Sequence, residues 1–215
     1  MKVNKKILDL SNPDHAYFFG FIQMDGSLYS NTRNRGKLTI EISKKDIHIL
    51  KSFQKIIPLY SSIYIRTRET NFKLHTSATL TVFDWDFRKE LNSIGLPYGR
   101  KSNIISVPTS TYSEVDYWRG VIDADGSVGI SSNGVPFITL TTKSHTLKNS
   151  FCSFLKRSIN FSPSIKRNRR DQIYNFTIAN DNAMLLVQLL YYEGCLALKR
   201  KKKSATEIIK LIDNY

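Results

Sequence analysis

Cysteine, histidine and acidic side chains are all in short supply in this chain of 215 residues. Its two cysteines, Cys152 and Cys195, lie far apart and form no CxxC pair, which excludes a disulfide framework and points to reduced thiols inside a cell. The four histidines, His15, His48, His75 and His145, have no zinc-ligand spacing, so no structural zinc is expected. No Ser-His-Asp or Cys-His set offers a protein nucleophile. No run approaches the roughly 18 apolar residues of a membrane span, and the first ten residues carry lysines without the apolar core of a secretory signal. Acid is scarce against base: 18 Asp and Glu face 32 Lys and Arg, for a net charge of +14. Such an excess speaks to partners rather than fold, with nucleic acid ahead of an anionic membrane surface. What is plentiful is apolar and aromatic content, 41% and 12%, enough for a packed core in one domain or two intimate halves.

One phrase occurs twice. Phe18-Phe19-Gly20-Phe21-Ile22-Gln23-Met24-Asp25-Gly26-Ser27 returns as Trp118-Arg119-Gly120-Val121-Ile122-Asp123-Ala124-Asp125-Gly126-Ser127. Each copy is an apolar run with an internal glycine, ending in Asp-Gly-Ser. The repeat continues as a strand and helix over residues 38–55 and again over 137–156. Here Ile40 and Ile42 are matched to Ile138 and Leu140, and Phe53 to Phe151. Basic segments at 64–68 and 165–170 follow, and basic clusters at 99–102 and 199–204 close each half. The pattern predicts a duplicated α+β chain, each half αββαββα, divided at a Pro/Ser/Thr-rich link into residues 1–107 and 108–215.

Asn12 followed by Pro13 predicts the start of the first motif helix; Ser113 with Asp116 predicts a capping box at the second. Gly26 and Gly126 fall where the helices should stop. Glycine inside a helix costs about 1 kcal/mol relative to alanine, and close approach of another backbone is the usual compensation. At helical spacing Tyr17, Gly20, Phe21 and Met24 share a face, as do Tyr117, Gly120, Val121 and Ala124. Packing these faces together makes the seam between pseudo-twofold halves and sets Asp25 beside Asp125. Two carboxylates at helix C-termini repel each other and the helix dipoles, so a cation belongs there. Hard oxygen ligands favour Mg²⁺, with Mn²⁺ able to substitute. A metal between two carboxylates and a phosphate can activate water and stabilise the leaving oxygen.

The strands supply the partner. Asn31, Arg33, Arg35 and Lys37 lead into a return strand that presents Thr39 and Glu41 opposite Ile40 and Ile42. In the second half Ser131 and Asn133 lead out, and Thr139 and Thr141 return. Alternation gives each ribbon one apolar and one polar face, and such a ribbon fits the major groove of duplex DNA. Arg66, Arg68, Lys73 and His75 extend the surface in the first half, and Lys166, Asn168 and Asn175 in the second.

The paired phrases, with this order of elements around them, resemble the LAGLIDADG homing endonucleases in their single-chain, two-motif form, over nearly the whole length. The resemblance implies two saddle-forming antiparallel sheets with the motif helices at their seam. It also implies a monomer that makes a double-strand break in a long asymmetric DNA target by Mg²⁺-dependent hydrolysis. Asp25 and Asp125, with the adjoining Gly26 and Gly126, match the metal-binding end of the motif. Lys101 and Lys201 match the lysine that each half brings to the water around the scissile phosphates. Lys44 and Thr142, with His48 behind them, match residues that approach the site just past the second strand. Gln23 stands where the second motif has Asp123, and Phe19 and Arg119 replace a usual small residue; these departures imply unequal halves. The family spreads introns or inteins. A chain beginning at Met1 without flanking splicing signals favours an intron-encoded protein, in an organelle or in a prokaryotic or phage cytoplasm. An RNA maturase acting on intron RNA, or a DNA-binding regulator that no longer cuts, are the alternatives.

Overall fold

The computed structural model describes residues 6–32, 34–69 and 74–212, so Arg33 and Lys73 lie outside the described residues. The first half runs α1 (Pro13–Asp25), β1 (Gly26–Ser30), β2 (Gly36–Ser43), α2 (Ile47–Ile56), β3 (Ser61–Glu69), β4 (Leu74–Val82) and α3 (Trp85–Ser93). The second runs α4 (Glu114–Asp125), β5 (Ser127–Ile130), β6 (Pro136–Thr142), α5 (His145–Ile159), β7 (Tyr174–Ala179), α6 (Asn180–Leu190) and α7 (Lys199–Ile212). Two antiparallel sheets result, ordered β1-β2-β4-β3 and β5-β6-β7. The duplicated α+β architecture is present, with two departures in the second half: a strand is lost, and a further helix, α7, follows α6. The third strand expected in the second half is reduced to a single bridge between Arg167 and Tyr174. The segment before it holds Asn160 in the left-handed region and then Pro163, neither of which continues a ladder. Among the described residues no helix is long and apolar enough to cross a membrane.

The motif helices form the centre. Every residue of α1 from Ala16 to Gln23 is buried, as is every residue of α4 from Asp116 to Asp123. A helix that is enclosed on all sides is apolar nearly all round, which explains the apolar runs; the polar residues within them, Gln23, Asp116, Arg119 and Asp123, are buried and hydrogen-bonded. A Cβ on Gly20 would fall on the carbonyl of Tyr117, and one on Gly120 would fall on the carbonyl of Tyr17. The two helices therefore touch backbone to backbone along the expected faces. Outside the seam each helix carries an aromatic into its own half. Phe18 meets Phe53 of α2 edge-on at 4.9 Å, and Trp118 meets Phe151 of α5 at 4.7 Å.

One local expectation holds in a different form and two others change. Gly26 and Gly126 end their helices where expected, in extended conformation at φ −78° and −95°. What demands glycine is room: a Cβ on Gly126 would sit 2.6 Å from the Thr139 carbonyl, and one on Gly26 would sit 2.5 Å from that of Ile22. Ser113 does not cap the backbone of α4; its hydroxyl donates to the Asp116 carboxylate at 2.5 Å. Finally, the strands match two residues away from the sequence alignment. Ser27 pairs with Thr39 and Ser127 with Thr139, so Leu38 corresponds to Ile138 and Ile40 to Leu140. The helices keep the Phe53–Phe151 match because a one-turn 3-10 helix, Lys44–Asp46, lengthens the link between β2 and α2. Asn12 caps α1 as expected, accepting from the N–H groups of Asp14 and His15.

Candidate active site and nucleic-acid interface

Helix packing at the seam delivers Asp25 and Asp125, the last residues of α1 and α4, to a common floor. The Asp25 carboxyl is pushed up to about 6, first by burial and then by the negative charge of Asp125; Lys201, Lys101 and Arg200 pull the other way. Asp125 is raised by burial against the pull of Lys101 and Lys201. Both carboxyls keep contact with solvent, so the burial is that of a concave floor rather than of a core. Met24, Lys101, Ser102, Ile105, Asp125, Thr141, Thr142, Lys143 and Ile173 line a cleft of about 210 Å³ there.

The two lysines sit under the helix ends. Lys101 Nζ donates to the carbonyls of Ile22, at 2.9 Å, and Gly26. Lys201 Nζ donates to Ile122, Asp123 and Gly126 at 2.6, 2.7 and 2.6 Å. Each ammonium meets the negative end of its own half's motif helix, where a cation is favoured. Burial nonetheless lowers both lysines to about 8; Asp25 and Asp125 oppose it at Lys101, and Asp123, then Asp25 and Asp125, oppose it at Lys201, where Arg200 adds to the lowering.

This donor set fits a divalent cation. Two repelling carboxylates with raised proton affinity gain from one, and their oxygens are of the hard type that Mg²⁺ takes. Among the described residues no third Asp, Glu, His or Cys joins them, so further ligands must come from backbone, water or substrate oxygens. The carbonyls of Gly26 and Gly126 already accept from the lysines, leaving each one lone pair.

Thr142 joins the cleft, its Oγ1 accepting from the N–H of Ser144 at 3.1 Å. Lys44 does not line it; it lines a separate depression with Ser43, Lys45, Leu74, His75 and Thr76. Counted from the helix starts the two are equivalent, but counted from the strand register Thr142 matches Ile42, and the inserted 3-10 turn carries Lys44 elsewhere. His48 faces the other half: its Nε2 accepts from the N–H of Lys199 at 3.2 Å.

The residues that distinguish the motifs are in the seam, not on the floor. Tyr17 donates across it to Asp123 at 2.7 Å, and Tyr117 donates back to Gln23 at 2.6 Å. Asp123 also accepts from Tyr191 and from the N–H of Leu198, so it faces donors only. Gln23 spends its amide N–H groups on the carbonyls of Gly95 and Ser106, which a carboxylate could not satisfy. Arg119 is fully buried, bonded to Asp116 at 2.5 Å and to the carbonyls of Leu190 and Leu196, between the rings of Tyr17 and Tyr192. Tyr17 and Tyr117 were legible in the repeat only as residues of the packing face, and Tyr191 and Tyr192 were not singled out.

The sheets present polar faces as the alternation required. On the first, Lys37, Thr39 and Glu41 of β2 lie beside Thr79, Thr81 and His75 of β4, and these beside Tyr64, Arg66 and Arg68 of β3. Leu38, Ile40, Ala78, Leu80 and Val82 point into the core. Glu41 is held by Ser77 at 2.7 Å and by Arg68 at 3.6 Å. On the second sheet Ser127, Thr139, Thr141, Asn175 and Thr177 share the polar face, and Thr141 donates to Asn175 at 2.9 Å. Tyr29, Tyr64, Thr79, Thr81 and Thr177 belong to these faces and were missed, although the alternation in residues 74–82 contains Thr79 and Thr81 and that in residues 174–179 contains Thr177. Other expected contacts are turn residues. Asn31 and Asn168 accept from neighbouring backbone N–H groups, as Ser131 does from Val135. Arg35, Asn133 and Lys166 are exposed.

Two sheets, paired glycine-bearing helices at their seam and a carboxylate ending each helix define the LAGLIDADG fold, in its two-motif, single-chain form. Residues 113–203 match the family profile of the LAGLIDADG-like domain. Solved structures share the fold over most of the chain. The homing endonuclease I-WcaI, bound to its DNA recognition sequence, is 19% identical at a TM-score of 0.61, covering 94% of this chain and 91% of its own. The LAGLIDADG homing endonuclease I-LtrWI, bound to target DNA, is 12% identical at 0.58, covering 94% and 90%. A variant of I-DmoI, in complex with its target DNA in the presence of magnesium, is 16% identical at 0.55, covering 83% and 95%. No curated protein sequence matches the chain.

Proposed function

We propose that this protein is a site-specific DNA endonuclease that makes a double-strand break by divalent-metal-dependent phosphodiester hydrolysis. The observation that carries the reading is the convergence of Asp25, Asp125 and two helix-capping lysines on one floor between two polar sheet faces. Asp25 and Asp125 would hold Mg²⁺, and the structure of the I-DmoI variant with its target DNA is one in the presence of magnesium. Bound there, the metal supplies an activated water and a counter-charge for the leaving oxygen. The chain's own residues do the rest. The sheets bind duplex DNA, with the basic excess neutralising phosphates and the Thr, Asn, Arg and Lys side chains facing base edges. The fixed seam sets the two carboxylates against opposite strands, and Lys101 places a positive charge beside the cleft that Asp125 lines. Because the two sheet faces differ, the target is long and asymmetric. A monomer suffices, since both carboxylates come from one chain. Cutting an allele that lacks the coding intron would make the protein an agent of intron mobility.

The test is direct. Asp125→Asn should lose double-strand cleavage while still binding DNA; normal cutting by that variant would sink the metal assignment. Activity that survives thorough chelation would count equally against it. An RNA maturase role needs the basic surface but not the paired carboxylates, and their retention beside both lysines favours the nuclease.

A further inference from the structure

The lysines of the two halves are bonded unequally. An ammonium has three N–H groups. Lys201 is 3% exposed and has three carbonyl acceptors, at 2.6, 2.7 and 2.6 Å. Lys101 has two, the carbonyls of Ile22 and Gly26, and it lines the cleft beside Asp125. One N–H of Lys101 is therefore free to meet a phosphate oxygen or its water, and none of Lys201 is.

Their supports differ in the same sense. Lys201 stands in the first turn of α7, and the opposite half grips that turn twice. Arg200 Nε bonds Asp46 at 3.0 Å, and the N–H of Lys199 bonds His48 at 3.2 Å. Lys101 stands outside any regular helix, on a turn closed by the N–H groups of Ile104 and Ile105 on its own carbonyl. Its neighbour Arg100 has no ion pair among the described residues; the matching grip is a single bond from Ser144 to the Ile105 carbonyl at 2.5 Å.

We propose that the lysines have divided their work: Lys101 faces the phosphate of one strand, Lys201 is a locked cap on α4, and the two strands are cut in order. This rests on the endonuclease reading. Asp46 is then a positioning residue, which keeps Lys201 turned inward through Arg200.

Two measurements test it. In single-turnover cleavage with each strand of the target separately labelled, the parent should accumulate a nick in one strand. Lys101→Met should slow that first cut about a hundredfold, the usual scale for losing a donor to developing charge. Lys201→Met should slow it far less and should lower the melting temperature more. Equal strand rates in the parent, or equal slowing by both substitutions, would overturn the proposal. Absence of metal-dependent cutting would instead overturn the endonuclease reading. The second measurement needs neither cutting nor a folded Lys201→Met. Brief acylation of the free protein with acetic anhydride should label Lys101 well ahead of Lys201, and Asp46→Asn should raise labelling at Lys201 alone. Equal labelling of the two lysines in the parent would overturn the proposal by itself.

Discussion

The first sheet has four strands and a charged polar face, Lys37, Glu41, Arg66, Arg68 and His75; the second has three strands and a neutral one, Ser127, Thr139, Thr141, Asn175 and Thr177. Beneath them the motif helices are superposable in design, with glycine on backbone, tyrosine across the seam, aspartate at the end and lysine under the last carbonyls. The difference teaches where a duplicated protein is free to diverge. The seam must close against a copy of itself, so each change there is matched by new partners. Gln23 found two carbonyls, Asp123 found three donors, and Arg119 found Asp116. The sheet faces differ in charge outright.

The largest effect expected from breaking the symmetry at the floor is on activity. Asp125→Asn should abolish double-strand cleavage, and measuring nicks in each strand would show whether Asp25 alone still supports one cut. Exchanging the seam residues comes next. Gln23→Glu would turn a carboxylate onto the carbonyls of Gly95 and Ser106 and should cost about 3 kcal/mol. Asp123→Asn would aim an amide N–H group at donors and should cost about 1–3 kcal/mol; urea denaturation of each variant checks both. A smaller effect follows from Asp25. Its carboxyl lies near 6 in the folded chain against an ordinary 3.8. The folded form therefore holds the proton more tightly, and stability from this group falls as pH rises between those values. Asp25→Asn should raise the melting temperature at pH 7, and the gain should vanish below pH 4. The parent's metal-dependent activity should also fall as pH drops through about 6, where protons compete for Asp25. Smallest is the contrast between the sheets. Lys37→Ala or Arg66→Ala should lower the salt slope of DNA affinity by about 0.9 each, whereas Thr141→Ala should leave the slope alone and relax base preference.

Much of this was written in the chain because duplication repeats a signal. A single Asp-Gly at a helix end means little; two, each following an apolar run with an internal glycine, predicted the seam and the paired carboxylates. Alternation in residues 37–42 and 137–142 predicted both polar faces. What stayed hidden depended on partners distant in sequence. Nothing local shows that Tyr17 will reach Asp123, that Asp46 will hold Arg200, or that Gly126 is required by the Thr139 carbonyl. The two-residue slip in strand matching has a local cause. A 3-10 turn at Lys44–Asp46 is short enough to be absorbed by a sequence alignment, yet it displaces Lys44 from the place that Thr142 holds. The missing strand before β7 was masked by a basic segment that resembles residues 64–68 in composition but not in alternation.

The central claim is that two seam-borne carboxylates cut two strands of one duplex. Incubating the protein with a randomised duplex library and Mg²⁺, then sequencing the new ends, tests it most directly. The account predicts paired breaks at a fixed stagger within one asymmetric consensus, absent with chelator and absent for Asp125→Asn. Library DNA that is bound and enriched but left intact by the parent in Mg²⁺ and in Mn²⁺ would contradict it.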